Sequence, residues 1–292
     1  MPTDFQLPSS TRIGSVHLQI RDLAQSLAFY GEVLGLLEIS REEHAVSVSA
    51  SGSRPELLRL IEIPDARPRP PHTTGLFHVA IRVSGRGELA NVIKRLHSKR
   101  ESMHGFANHG VSESVYLSDP DNNGIEIYCD LPRDRWPHEG NRIAMTTDPL
   151  DVDELLKLAS NDWHGLDPVT DIGHVHLQVS DLKKAEDFYH GLLGFDVTQD
   201  SYPGALFFSA GGYHHHVATN VWSSRGGQSL SANSVGLRMF QIVVPDAEAV
   251  SVIRNRLEDA GVMVSSARAN GLLGISTADY DGIGMQILSS QS

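Results

Sequence analysis

A single cysteine, Cys129, stands in 292 residues, so no disulfide forms within the chain and a cytoplasmic setting is expected. Basic residues are scarce. Lys and Arg number 24 against 36 Asp and Glu, a formal net charge of −12. A surface of that sign repels the phosphates of nucleic acid and of anionic lipid, so neither is expected as a partner. No apolar run approaches the ~20 residues that span a bilayer. The opening MPTDFQLPSS lacks the basic and apolar segments of a secretory signal. Low-complexity tracts are absent, and the length suits two ordinary domains, each with its own core. Histidine, by contrast, is plentiful: 15 residues, several of them in runs, direct attention to metal or proton chemistry.

The chain repeats itself. VHLQIRDLAQSLAFYGEVLGL at 16–36 matches VHLQVSDLKKAEDFYHGLLGF at 175–195 at a constant offset of 159 residues, without a gap. An ungapped match of this length marks an internal duplication. Each copy opens with alternation that suits a strand. Asp22 or Asp181 then takes the helix N-cap, and apolar residues follow at helical spacing: Leu23, Leu27 and Tyr30, or Leu182, Ala185 and Phe188. Gly35 and Gly194 stand where such a helix would stop. Fainter strand–helix–strand units begin at GLFHVAIRV (75–83) and GLRMFQIVVPD (236–246), which makes four β-α-β-β-β modules. A Pro- and Asp-rich connector with one short helix near 151–160 lies between the halves.

The frame V-H-L-Q-[IV]-x-D-L, F-Y, L-G, with DPDNNGIEI closing the second module, resembles the vicinal oxygen chelate superfamily of glyoxalases, bleomycin resistance proteins and extradiol dioxygenases. HGVSESVYLSDPDNNGIEIYCDLPRDRW and GYHHHVATNVW are similar to segments of its bacterial catechol-2,3-dioxygenase branch. The resemblance implies an α+β fold with curved, partly open, barrel-like mixed sheets flanked by helices. It would comprise one domain at 8–135 (modules 1 and 2), a connector at 136–170 and a second domain at 171–290 (modules 3 and 4).

The resemblance also assigns metal-ligand positions to lead strands and to the ends of last strands. Module 3 then offers His174, and module 2 offers His78 and Glu126. Module 1 offers only Ser15, and module 4 offers the neutral amides Gln241 and Gln286, the first taken as the counterpart of His78. If modules adjacent in sequence paired, neither half would hold a complete set. If module 2 pairs with module 3, one cavity collects His78, Glu126 and His174, the 2-His-1-carboxylate set of non-heme Fe(II) oxygenases. Fe(II) is the implied metal, with Mn(II) or another divalent ion accepted by the same donors. Each residue also has a plainer reading. A lone strand histidine is usually a hydrogen-bonded core or surface residue, and Glu126 between Ile125 and Ile127 fits an exposed strand face. His17 is read as structural and His176 as a residue facing a cavity.

In the run Tyr213-His214-His215-His216, strand alternation turns either His215 alone or His214 with His216 inward. The resemblance places an acid–base histidine here; His215 is preferred, with His216 second, and the plain alternative is an exposed histidine cluster. Tyr116, ten residues before Glu126, matches a tyrosine of extradiol relatives, although an ordinary strand aromatic is an equal reading. His109 is a further acid–base candidate, two residues nearer to Tyr116 than the family pattern; His104 is a weaker one. Asn220 and Trp222 continue the same strand toward a pocket.

The implied activity is extradiol cleavage of catechol or a substituted catechol by O2, giving a muconic semialdehyde. The implied partners are a small aromatic substrate and O2, in a homo-oligomer. Two other classes are carried alongside. One is a glyoxalase-type isomerase or lyase, whose site a fourth ligand from the histidine run would close. The other is a metal-free small-molecule binder of the drug-sequestering kind.

Overall fold

Asp22 and Asp181 cap helices in the computed structural model, which describes residues 5–140 and 142–291. Each accepts from the backbone N–H three residues on, Gln25 or Lys184. The helices Leu23–Leu27 and Leu182–Glu186 continue as wider π-type turns over Ala28–Val33 and Asp187–Leu192. The duplication therefore extends to the helical hydrogen-bonding pattern. Gly35 and Gly194 end both segments at φ 81° and 87°, left-handed values that cost glycine no steric strain.

Every module has one layout. A lead strand leaves into a helix, and three antiparallel strands return so that the last lies parallel beside the first. The parallel pairs are Arg12–Ile20 with Leu58–Glu62, Gly75–Arg82 with Gly124–Asp130, Asp171–Gln178 with Val217–Asn220, and Gly236–Val244 with Gly284–Ser289. Parallel neighbours need a crossover of a dozen or more residues, which the helices supply.

The modules combine across the halves. The lead strand of module 3 runs antiparallel to that of module 2, with His174 opposite Ala80 and His176 opposite His78. The lead strand of module 1 pairs likewise with that of module 4. Two open, eight-stranded mixed sheets result, one from modules 2 and 3 and one from modules 1 and 4. Helices cover their outer faces, and a hydrophobic core runs through both. Its largest fully buried members include Tyr30, Tyr128, Phe188, Tyr189, Phe208 and Phe240. Burial of each such side chain contributes roughly 1.5–3 kcal/mol.

Modules adjacent in sequence are tied by polar contacts. Tyr30 Oη donates to Asp119 at 3.0 Å, and Tyr189 Oη donates to Asp279 at 2.9 Å. Backbone N–H groups of Arg21 and Ser180 donate to Asp121 and Asp281. Register also moves one assignment. Gln241 stands beside Gln286 as Ala80 stands beside Glu126, while Met239 lies opposite His17 as His78 lies opposite His176. The module 4 counterpart of His78 is therefore Met239, not Gln241, in keeping with the gap-free match of GLFH (75–78) to GLRM (236–239); Gln241 is the counterpart of Ala80. Among the described residues, no helix is long and apolar enough to cross a membrane.

Candidate active site

The sheet of modules 2 and 3 encloses a cavity of about 280 Å³. At its floor, His78, Glu126 and His174 place one donor atom each within 4.8 Å of one another. All three side chains are buried, and the His78 and His174 rings are 5.5 Å apart. The lead strands deliver the two histidines from opposite halves of the chain, and the last strand of module 2 delivers Glu126. Gly173 is required beside His174, because a Cβ there would stand 1.7 Å from Tyr128 Oη.

The donor set fits a divalent cation. His78 Nε2 is 2.9 Å from Glu126 Oε2, yet this buried nitrogen has no hydrogen bond, so the pair is close without being aligned. His174 Nε2 is 3.1 Å from the same oxygen. Lone pairs that converge on one point, rather than on each other, are what a metal ion satisfies. Burial works to raise the Glu126 carboxyl, but His174 and His78 outweigh it and hold the group well below the usual carboxylate range. Burial lowers His174 to about 4, against the pull of Glu126. At neutral pH the set is thus one carboxylate and, at His174, an unprotonated imidazole, the forms that bind metal. Ser114 Oγ donates to the other Glu126 oxygen at 2.5 Å and fixes the carboxylate plane.

A second trio, His174, His214 and His215, also has donors within 4.8 Å. It carries no negative charge, and two of its nitrogens already face each other, His214 Nδ1 and His215 Nδ1 at 2.8 Å. The carboxylate-bearing trio is the better cation site.

Of the acid–base candidates, His215 lines the cavity, its ring centroid 4.0 Å from that of His174. His216 does not: the histidine run lies in the turn ahead of the strand Val217–Asn220, and His216 points behind the wall, where Nδ1 accepts from Ala210 N at 3.2 Å. His214 also turns behind the wall, and its Nε2 faces Asp130 Oδ1 at 3.0 Å. A carboxylate only accepts, so His214 carries its proton on Nε2 and accepts at Nδ1 from His215 Nδ1–H. His215 consequently presents a bare Nε2. Burial lowers both rings below the ordinary histidine value and keeps them neutral. Asp130 is held in turn by Tyr213 Oη at 3.0 Å and Arg82 Nη1 at 3.2 Å.

Tyr116 and His109 both line the cavity. His109 Nδ1 is 2.6 Å from the Thr146 carbonyl, which fixes the proton there; Nε2 then accepts from Tyr116 Oη at 2.7 Å. His176 lines the cavity too, with Asn220 Nδ2 at 3.0 Å from its Nε2, and Trp222 stands at the rim. His104 lies in a neighbouring groove. In the other sheet, His17 bonds Ser15 at 3.1 Å and lies 3.6 Å from Glu56. Sequence reasoning missed Asp130, for which no local signal exists, and the connector residues Met145, Thr146 and Thr147, which form part of the wall.

A model of the glyoxalase/bleomycin resistance protein/dioxygenase superfamily matches residues 12–127 and 171–284. The chain belongs to that superfamily. Within the vicinal oxygen chelate superfamily, as it is also known, the chain is 42% identical over 260 residues to a catechol-2,3-dioxygenase of Bacillus subtilis (strain 168). The alignment covers 87% of this chain and 90% of that protein. Solved structures agree in fold. A candidate dioxygenase from Bacillus subtilis subsp. subtilis str. 168 superimposes with a TM-score of 0.69 at 14% identity, covering 99% of this chain and 87% of that one. Glyoxalase I from Zea mays gives 0.61 at 15% identity, covering 96% and 92%. The fold, mixed α+β with open sheets, is thus shared with proteins named as a dioxygenase and as a glyoxalase.

Proposed function

We propose that this protein is a metal-dependent extradiol dioxygenase that opens the ring of a catechol with O2, beside rather than between the hydroxyls, to give a muconic semialdehyde. The reading rests on one observation: His78, Glu126 and His174 converge at the floor of an aromatic-walled cavity that His215 and Tyr116 also face. The 42% identical Bacillus subtilis relative, named as a catechol-2,3-dioxygenase, supports it.

His78, Glu126 and His174 would hold Fe(II), or Mn(II) in its place; the ion supplies attachment for two vicinal oxygens and an electron path to O2. The protein's own groups manage protons and position. His215 Nε2, unprotonated in the tautomer that Asp130 and His214 impose, accepts the proton of a substrate hydroxyl and returns it during ring opening. Tyr116, which donates to His109, keeps its oxygen lone pairs available to a substrate hydroxyl. The aromatic wall excludes water.

The test is anaerobic purification with Fe(II), followed by O2 uptake on addition of catechol and mass analysis of the product. One O2 consumed per ring, with both atoms in a semialdehyde, is the expected result. A metal-loaded protein that takes up no O2 with any catechol, and that isomerises a hemithioacetal, would replace this reading with the glyoxalase type. The second histidine trio, which shares His174, supplies the extra ligand that such a site would use.

A further inference from the structure

The cavity changes character from floor to mouth. Above the donor set its wall is mainly apolar, with Phe77, Val111, Met145, Tyr202, Phe207 and Trp222, and its polar members, among them Thr146, Thr147 and His176, are uncharged or only weakly basic groups. Among the described residues no lysine or arginine lines it. Phe77 and Trp222 are its exposed aromatic members, 38% and 46% accessible, and their rings meet edge to face at 5.3 Å. They mark the mouth and leave apolar surface in water beside the site.

Size gives a second constraint. An apolar cavity of about 150 Å³ accommodates a single benzene ring. The volume of about 280 Å³ found here leaves space for a substituent as large as a second ring. Charge gives a third. A carboxylate lodged among Phe207, Val111 and Trp222 would lose water without gaining a cation, near Glu126 and within a chain of net charge −12. Arg69 lies in a neighbouring groove that shares Phe77, His78 and Tyr116 with the cavity. Its N–H groups are engaged by Thr73 Oγ1, the carbonyls of Thr73 and Leu76, and Gln178 Oε1.

We infer that the substrate is a catechol bearing an uncharged, apolar substituent of up to about ring size, with Phe77 and Trp222 as the residues that select it. The inference rests on the extradiol reading and narrows it to one substrate class. The substituent covers the exposed aromatic pair, and an acidic substituent is disfavoured because its charge meets no lysine or arginine among the described lining residues.

The experiment compares kcat/KM of the Fe(II)-loaded protein for catechol, 4-ethylcatechol, 4-phenylcatechol and 3,4-dihydroxybenzoate. The ethyl and carboxylate groups are similar in size and differ in charge. 4-Ethylcatechol is expected to exceed 3,4-dihydroxybenzoate by about a hundredfold or more, and 4-phenylcatechol to be accepted. Trp222→Ala is expected to lower the 4-phenylcatechol-to-catechol ratio about tenfold, and Trp222→Arg to favour the acid. Equal or better turnover of the acid overturns the inference while the extradiol reading stands, as does a ratio that Trp222→Ala leaves unmoved. If no compound is cleaved, the extradiol reading fails. Calorimetric titration of the metal-loaded protein then decides the binding preference: tighter 4-ethylcatechol supports it, and tighter or equal 3,4-dihydroxybenzoate overturns it.

Discussion

His214 Nδ1 and His215 Nδ1 lie 2.8 Å apart, and only one of them can carry the proton between them. Asp130 decides which, because it claims the Nε2 proton of His214. A carboxylate at the end of one strand thus sets the tautomer of a cavity histidine that it does not touch.

Asp130→Asn accordingly leaves the cavity intact but allows His214 the opposite tautomer. Turnover is expected to fall about 10- to 100-fold, in line with losses at groups that orient a ligand or base. Metal content is expected to stay at the wild-type value. A pH–rate profile and a metal assay on the same sample check this; unchanged turnover would show that His215 is not oriented through His214.

His78→Ala and His174→Ala, in opposite halves of the chain, are each expected to abolish the same single metal equivalent. Glu126→Gln keeps the shape but removes the charge, and is expected to weaken binding strongly. Metal content by mass spectrometry, with circular dichroism to confirm folding, reads the result. A full equivalent retained in either alanine variant would displace the site.

Tyr116 and His109 act as one unit if the 2.7 Å bond between them orients the hydroxyl. Tyr116→Phe and His109→Gln are each expected to lower kcat about tenfold, the loss of roughly one hydrogen bond of 1–2 kcal/mol. The double variant is expected to lose little more than either single one. Additive losses would show two independent roles.

Among the buried histidines, His216 supplies a share of the pH dependence that lies outside the donor set. Burial pushes its ring down to about 3, and Ala210 N–H donates to its Nδ1, a bond that needs the neutral form. In the unfolded chain it titrates near 6.5. The stability it contributes is therefore complete above about pH 6.5 and drains away as the pH falls toward 3, by on the order of 5 kcal/mol in all. Urea titrations of chelator-treated protein between pH 7 and 4 are expected to show a smaller loss for His216→Asn than for wild type. Parallel slopes would place the titration elsewhere.

Local features were legible in the sequence because neighbouring residues determine them. Asp22 and Asp181 cap helices, and Gly35 and Gly194 end them, where spacing indicates. The His78, Glu126 and His174 set emerged only by counting donors under each way of pairing modules, with ligand positions taken from a family resemblance. What stayed hidden depends on distant parts of the chain. Which lead strands lie side by side is one such property. Met239 at the level of His78 was legible, since GLRM lines up with GLFH without a gap, and the assignment to Gln241 passed it over. Alternation left His215 and the His214/His216 pair undecided, and it does not apply there, because the run is a turn that ends where the strand begins at Val217. Asp130 and the Met145–Thr147 wall reach the site through tertiary packing that no motif announces.

The cross-half sheets also impose an order of assembly. Modules 2 and 3 are consecutive, with only the connector between them, so no strand of the other sheet interrupts the cavity sheet, whereas modules 1 and 4 occupy the chain's outer parts. The Arg82–Asp171 ion pair joins the inner lead strands over 89 positions, and the Ser15–Gln241 bond joins the outer ones over 226. The longer loop costs only ~1 kcal/mol more to close. During synthesis the difference is one of timing. The inner sheet has all its strands once module 3 has emerged, and the outer sheet waits for the final strand. The cavity is therefore complete in covalent terms while the strands destined to pair with module 1 are still being made.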